Sequence, residues 1–278
     1  MLAACGGDGE GGARGGSDTT SAPEVAGGLV LFKVFPERQP VGVPVRLPLA
    51  LASQDNDLDI DLPDSIGVEL RPPADGTAPE PLRIERHAEG IPRGYYPLRA
   101  TLDVAGPWGI VVDAGGTRVE TTIEAVDPTS LPAVPASGDA LPSVRTPTTA
   151  DARGVDPICT RDPQCPFHEV SLDEAIGGTG PIVLLISTPA FCQTAICGPV
   201  LDLLIERGPD LEAAGASVIH AEVYVDERAQ QVTATVDAYG LTYEPALFLA
   251  APDGTVTDRL DYTFDAAELE RALAALVP

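Results

Sequence analysis

The residues in this chain best able to do chemistry are four cysteines clustered between positions 159 and 197. Cys192 and Cys197 enclose Gln193, Thr194, Ala195 and Ile196, a C-x4-C spacing. Two thiols held in one turn can exchange electrons with a substrate disulfide, or can close a bridge that only braces the fold. Residues five apart in one regular α-helix would have Cα atoms about 8–9 Å apart. A disulfide tolerates up to about 7 Å. If the two pair, Cys192 belongs in a loop and Cys197 in the first turn of a helix. Pro199 agrees, since proline sits without cost only in a first turn, so the helix starts between Ile196 and Pro199. Both sulfurs would then face the positive end of the helix dipole, which favours thiolate.

Cys159 and Cys165 enclose Thr160, Arg161, Asp162, Pro163 and Gln164, and His168 follows shortly after. A metal held by Cys159, Cys165 and His168 is one use of these residues. No second close His or Cys pair completes a zinc-like spacing, however. The expectation is a small structural disulfide, Cys159–Cys165, with no metal and no cofactor. Pairing 192 with 197 and 159 with 165 is favoured, among three connectivities, by proximity in sequence. His220 lies inside an apolar run and reads as a packed core or edge histidine, and His87, among charges, as a solvated surface residue. Asp55, Asp57, Asp59 and Asp61 have the acidic alternation of a calcium loop, but Ile60 and Ile66 stand where its glycine and glutamate belong. That stretch reads instead as a strand with one wet face.

These residues need elements to position them. The uninterrupted apolar run from Ile182 to Ile186 reads as a strand buried on both faces, as in a parallel sheet. A short turn leads from it to Phe191 and Cys192. Ile196, Val200, Leu203 and Leu204 then repeat at helical spacing, with Gly208-Pro209 as the expected stop. Residues 216–225 read as a second strand, 232–239 as a helix, 245–250 as a third strand and 256–262 as a fourth. The last helix has an N-cap at Asp265, Glu268 at the third position, and Phe264 and Leu269 as a hydrophobic staple, with Leu269, Leu273, Leu276 and Val277 on its buried face.

Upstream, residues 28–126 read as all-β. Runs at 29–34, 45–51, 95–104 and 108–113 are separated by frequent Gly and Pro turns, favouring a two-sheet sandwich of roughly seven strands. Trp108 reads as a core plug. Prolines at 128, 132, 135, 142, 147 and 157 make 127–157 an extended, semi-stiff linker, so that two domains need share no fixed interface. The second domain then spans 158–278.

At the other end, Leu2-Ala3-Ala4-Cys5 resembles a bacterial lipobox, and the Gly-rich stretch that follows reads as a flexible tether over 1–27. Lipidation at Cys5, with the apolar leader upstream of these residues, would hold the protein on the outer side of a membrane, where disulfides persist. A formal net charge of −25 repels nucleic-acid phosphates and anionic headgroups. Membrane contact is thus expected only through the lipid, and nucleic acid is excluded as a partner. A monomer is expected.

The strand, cysteine turn and helix, followed by a strand entered through Glu244-Pro245, an Asp-Gly hairpin and a terminal helix, resemble the thioredoxin superfamily. Within 28–126, residues 94–126, with a Tyr-containing strand and the Gly-Pro-Trp turn after it, resemble the last strands of small immunoglobulin-like envelope domains. The thioredoxin resemblance implies a thiol–disulfide oxidoreductase acting on protein thiols or disulfides in the envelope. Cys192 would attack, Cys197 would resolve, and Pro245, at the position of the family's cis-proline, would shape the substrate groove. The chain departs from the family in its C-x4-C spacing, in Phe191 where Trp is usual, and in a buried strand with no acidic residue. Two other readings remain. In one, the fold is retained as a non-enzymatic envelope binding module braced by its cysteines. In the other, Pro189, Thr194 and Cys197 resemble a peroxiredoxin motif with one residue too many, and Cys197 would be a peroxidatic nucleophile. No histidine follows His220, which counts against a copper-chaperone relative.

Overall fold

The computed structural model describes residues 28–55 and 62–276. The chain is β-rich, with few and mostly short helices. Eight strands come first: β1 (Leu29–Lys33), β2 (Arg38–Pro40), β3 (Pro44–Ser53), β4 (Ser65–Arg71), β5 (Leu82–Glu85), β6 (Tyr96–Thr101), β7 (Gly106–Ala114) and β8 (Thr117–Val126). They form a three-stranded sheet, β1-β3-β6, facing a five-stranded sheet, β2-β8-β7-β4-β5. Alternation decides which face is buried: Ile66, Val68 and Leu70 of β4 point inward, as do Trp108, Ile110 and Val112 of β7. Leu47, Leu49, Leu51 and Leu98 meet them from the other sheet. Trp108 is buried, its indole N–H donating to the Val104 carbonyl at 3.0 Å, so the core-plug reading holds. Of the four aspartates with calcium-loop alternation, only Asp55 lies within the described residues.

The second body carries one four-stranded sheet in the order β10-β9-β11-β12, from β9 (Ile182–Ile186), β10 (Ser217–Ala221), β11 (Ala246–Ala250) and β12 (Val256–Asp261). β10 runs parallel to the central β9, while β11 and β12 are antiparallel to their neighbours. Every residue of β9 is buried because its two faces serve two cores. Val183 and Leu185 face one core with α2 (Cys197–Ala213) and α4 (Ala266–Leu276). Ile182, Leu184 and Ile186 face the other, with α1 (Leu172–Ala175) and α3 (Ala234–Tyr239). No helix among the described residues is long and apolar enough to cross a membrane.

Four expectations need correction. α2 does not stop at Gly208-Pro209 but continues to Ala213. A missing N–H costs one hydrogen bond, and continuing the helix buries Leu211. Gly208 leaves room there for the Phe167 ring, which a Cβ would meet at 3.2 Å.

The proline-rich segment is no free linker. It buries Leu141 in the second core, and Thr146 accepts a hydrogen bond from the Leu172 N–H at the start of α1. It also bridges the start of β12 through Ala140 and Thr255. Its prolines favour an extended path, and an extended path suits a strap as well as a tether.

The two bodies also share a fixed interface. Glu268 on α4 is fully buried and salt-bridged to Arg46 of β3, whose Nε lies 3.1 Å from both carboxylate oxygens. Arg99 of β6 reaches the same carboxylate at 3.0 Å, and the Tyr95 hydroxyl donates to it. Asp265 caps α4 as expected, accepting from the Glu268 N–H at 2.9 Å. The other half of the capping box is redirected: Tyr95 Oη, not Glu268, accepts from the Asp265 N–H. His87 is correspondingly not a solvated surface residue, since its Nδ1 lies 2.8 Å from Asp265.

Candidate functional site

The cysteine turn follows the carboxyl end of β9 and packs beside the carboxyl end of β10, the position where open α/β sheets place ligands. Thr188 accepts from the Phe191 N–H, and Cys192 from the Ala195 N–H at 3.1 Å. Ala195 takes φ +56°, a left-handed conformation costly for a residue with a Cβ. That strained step turns the chain so that Ile196 caps α2 and Cys197 is its first residue. Cys192 is therefore in the loop and Cys197 in the first turn. Pro199 falls in that turn, where its missing N–H had no partner to lose.

The two sulfurs have opposite environments. Cys192 is half-buried and hydrogen-bonds Thr194 Oγ1 at 3.3 Å. A hydrogen bond from the Cys197 thiol, together with the Thr194 hydroxyl and the N–H groups of Cys197 and Ile196, brings its pKa down to about 5, against the opposing cost of burial. Cys197 is fully buried, and burial first, then the Cys192 thiolate, pushes its thiol well above the ordinary range. At neutral pH the pair holds one thiolate at the surface and one protonated thiol behind it. Both are free thiols here.

Two side chains beside the pair were not singled out from sequence. Glu244 immediately precedes Pro245, and its carboxyl is raised by burial and by the Cys192 charge. It also acts on the buried Cys197. Tyr224, three residues beyond β10, stacks edge-on against Phe191 with centroids 6.3 Å apart, forming an aromatic flank beside Cys192. The Glu244–Pro245 bond is cis, and Pro245 leads into β11, whose Ala246 is paired with Ile186 at the end of β9. Glu244's adjacency to the proline was the one sequence signal for these groups. Nothing in the spacing pointed to Tyr224.

Cys159 and Cys165 lie apart from that pair. The expected disulfide between them is absent, both being free, buried thiols. His220, read as a core histidine, is buried as expected, but its Nδ1 faces both sulfurs, at 3.7 Å from Cys159 and 3.5 Å from Cys165. His168 Nε2 lies 3.2 Å from Cys165. The sheet makes this group, by laying the 159–168 loop along β10: the His220 N–H donates to the Phe167 carbonyl at 3.0 Å. A contact made across some sixty residues left no local spacing to read. Cys5 lies outside the described residues.

No family model matches the chain, and no curated protein matches it. Among solved structures, the Lin-41 filamin domain is similar at 16% identity and a TM-score of 0.25, covering 34% of this chain and 91% of that one. A superoxide reductase (neelaredoxin) from Ignicoccus hospitalis gives 12% identity and a TM-score of 0.25, covering 40% and 86%. A CARDB domain from Pyrococcus furiosus, in complex with di-metal ions, gives 12% and 0.23, covering 40% and 99%. Scores this low leave fold family and function to the chain's own geometry.

Proposed function

We propose that this protein is an envelope-anchored thiol–disulfide oxidoreductase, lipidated at Cys5, with an immunoglobulin-like β body and a thioredoxin-like second body. The observation that carries the reading is the asymmetric pair: a half-exposed Cys192 with its thiol near 5, backed by a buried, protonated Cys197 at a helix start. A purely bracing bridge needs no such difference. Support for the fold comes from the sheet order β10-β9-β11-β12, with the cysteine helix crossing between parallel strands.

In the reducing direction, the Cys192 thiolate attacks one sulfur of a substrate disulfide. The substrate S–S bond breaks, one substrate sulfur leaves as thiolate, and a mixed disulfide forms. Cys197 gives its proton to Glu244, the neighbouring carboxyl that burial and the Cys192 charge raise above the usual carboxylate range. The Cys197 sulfur then attacks Cys192 Sγ, releasing the second substrate thiolate. Two electrons pass to the substrate and the pair becomes a disulfide; oxidation is the same sequence reversed. Phe191 and Tyr224 offer the substrate an apolar bank.

Peroxidase chemistry at Cys197 fits less well, because a buried thiol with a raised pKa is neither accessible nor ionised. The scaffold reading is separated by redox titration. The 192–197 pair is expected to equilibrate with glutathione buffers at a potential above about −300 mV, the level below which structural bridges usually lie. A bridge that stays closed throughout that range makes the domain a scaffold.

A further inference from the structure

We propose that Cys159, Cys165, His168 and His220 form a closed, tetrahedral zinc site. Their ligand atoms all lie within 4.8 Å of one another. With Zn–S near 2.3 Å and Zn–N near 2.0 Å, a tetrahedron has edges of about 3.3–3.8 Å. The sulfur–nitrogen separations here are 3.2, 3.5 and 3.7 Å. Two thiolates and two imidazoles are a donor set that selects zinc among the common divalent ions. No ligand residue is more than 6% exposed, which leaves no open coordination position and makes the site structural rather than catalytic.

His220 is set for the task. His220 Nε2 lies 3.2 Å from the Ser187 carbonyl and 3.0 Å from its hydroxyl. A carbonyl only accepts, so Nε2 carries the proton and Nδ1 turns its lone pair toward the sulfurs. This is the outer hydrogen bond that metal-bound histidines commonly make. His168 buries an Nδ1 that has no partner among the described residues.

The site would also steady the redox turn. Between the ligands, Thr160 accepts from the Ala190 N–H at 3.1 Å, and Ser187 opens the turn that reaches Cys192. Metal-held thiolates would keep Cys159 and Cys165 out of exchange with the other pair. The assignment itself does not depend on the redox reading.

The test uses the full chain with Cys192→Ser and Cys197→Ser, so that only the proposed ligand cysteines remain of the four. Reduced, metal-free protein should bind one equivalent of Zn²⁺, and Co²⁺ in its place should give the intense visible absorption of tetrahedral thiolate coordination. Cys165→Ser or His220→Ala should weaken Zn²⁺ binding by more than the roughly 100-fold upper end of an outer-shell change. Sub-stoichiometric Zn²⁺, an octahedral Co²⁺ spectrum, or a folded reduced protein whose affinity ignores His220→Ala would each overturn the site. Because the Co²⁺ spectrum is read on chains with all four ligands intact, misfolding of a ligand variant cannot decide the question. A Cys159–Cys165 disulfide that persists in protein purified with Zn²⁺ would also overturn it.

Discussion

Replacing Cys192 by serine should lower disulfide-exchange activity by roughly a thousandfold or more, the scale on which an enzyme loses its covalent nucleophile. Cys197→Ser should instead stop turnover after the first step, leaving mixed disulfides that mass spectrometry of trapped adducts maps to Cys192 alone. The pH profile carries a further signature. With its thiol at about 5, Cys192 is thiolate above that pH, so alkylation of the reduced protein should rise with pH through about 5 and then level off. An ordinary thiol would still be rising at pH 8. Cys197→Ala removes the hydrogen bond that contributes most to the lowering, so the midpoint should move upward. Adducts on Cys197 in the Cys192→Ser variant, or a midpoint near the ordinary thiol value in both proteins, would remove Cys192 as nucleophile.

The second large effect concerns the joint between the bodies. Glu268→Gln should destabilise the protein by about 3–5 kcal/mol, because it leaves the Arg46 guanidinium buried without its counter-charge. The paired change Arg46→Met with Glu268→Leu should recover most of that loss. Denaturant unfolding of the three proteins measures both. The pair also sets an acid limit. Burial acts to raise Glu268, but hydrogen bonds and charge from Arg46 outweigh it and bring the carboxyl down to about 2. A carboxyl lower in the folded than in the unfolded chain contributes stability above its unfolded value of 4.5, and that contribution is lost as pH falls through about 2. Roughly 3 kcal/mol should disappear across this window in the native protein and little of it in the Met/Leu variant. Equal acid sensitivity in the two would place the loss elsewhere.

What could be read from the sequence was local. The start of α2 followed from one proline and the reach of a disulfide. The Asp265 cap, the buried β9 and the Trp108 plug each rest on a few adjacent residues. What could not be read depends on contacts between distant segments. Glu268 has the spacing of a capping-box residue, and only the docked β body explains why its carboxylate turns to Arg46. His220 has the look of a core histidine, and only the loop laid on β10 gives it two sulfurs. Pro209 has the look of a helix stop, yet one lost hydrogen bond weighs less than the packing beyond it. The proline-rich segment misled most, because composition reports backbone stiffness and says nothing of where a stiff chain lies down.

That segment changes where the second body begins as an autonomous folding unit. The Gly138 N–H donates to Val256 at 2.9 Å, the Val256 N–H to Asp139 at 2.8 Å and the Leu141 N–H to Gly254 at 2.8 Å, so it pairs with the start of the outermost strand, β12. Arg259 Nη1 donates to the Pro135 carbonyl at 2.6 Å, extending the contact toward the middle of that strand. A fragment cut at 158, where composition changes, would lose the Leu141 side chain from its core and expose bare amides on a sheet margin, an invitation to self-association. A fragment cut at 128 would carry its own cover. The shorter piece should aggregate on refolding, and the longer should stay monodisperse and resist proteases from about residue 134 onward. The boundary of the second body is thus set by hydrogen bonding rather than by amino-acid texture, more than twenty residues before the texture changes.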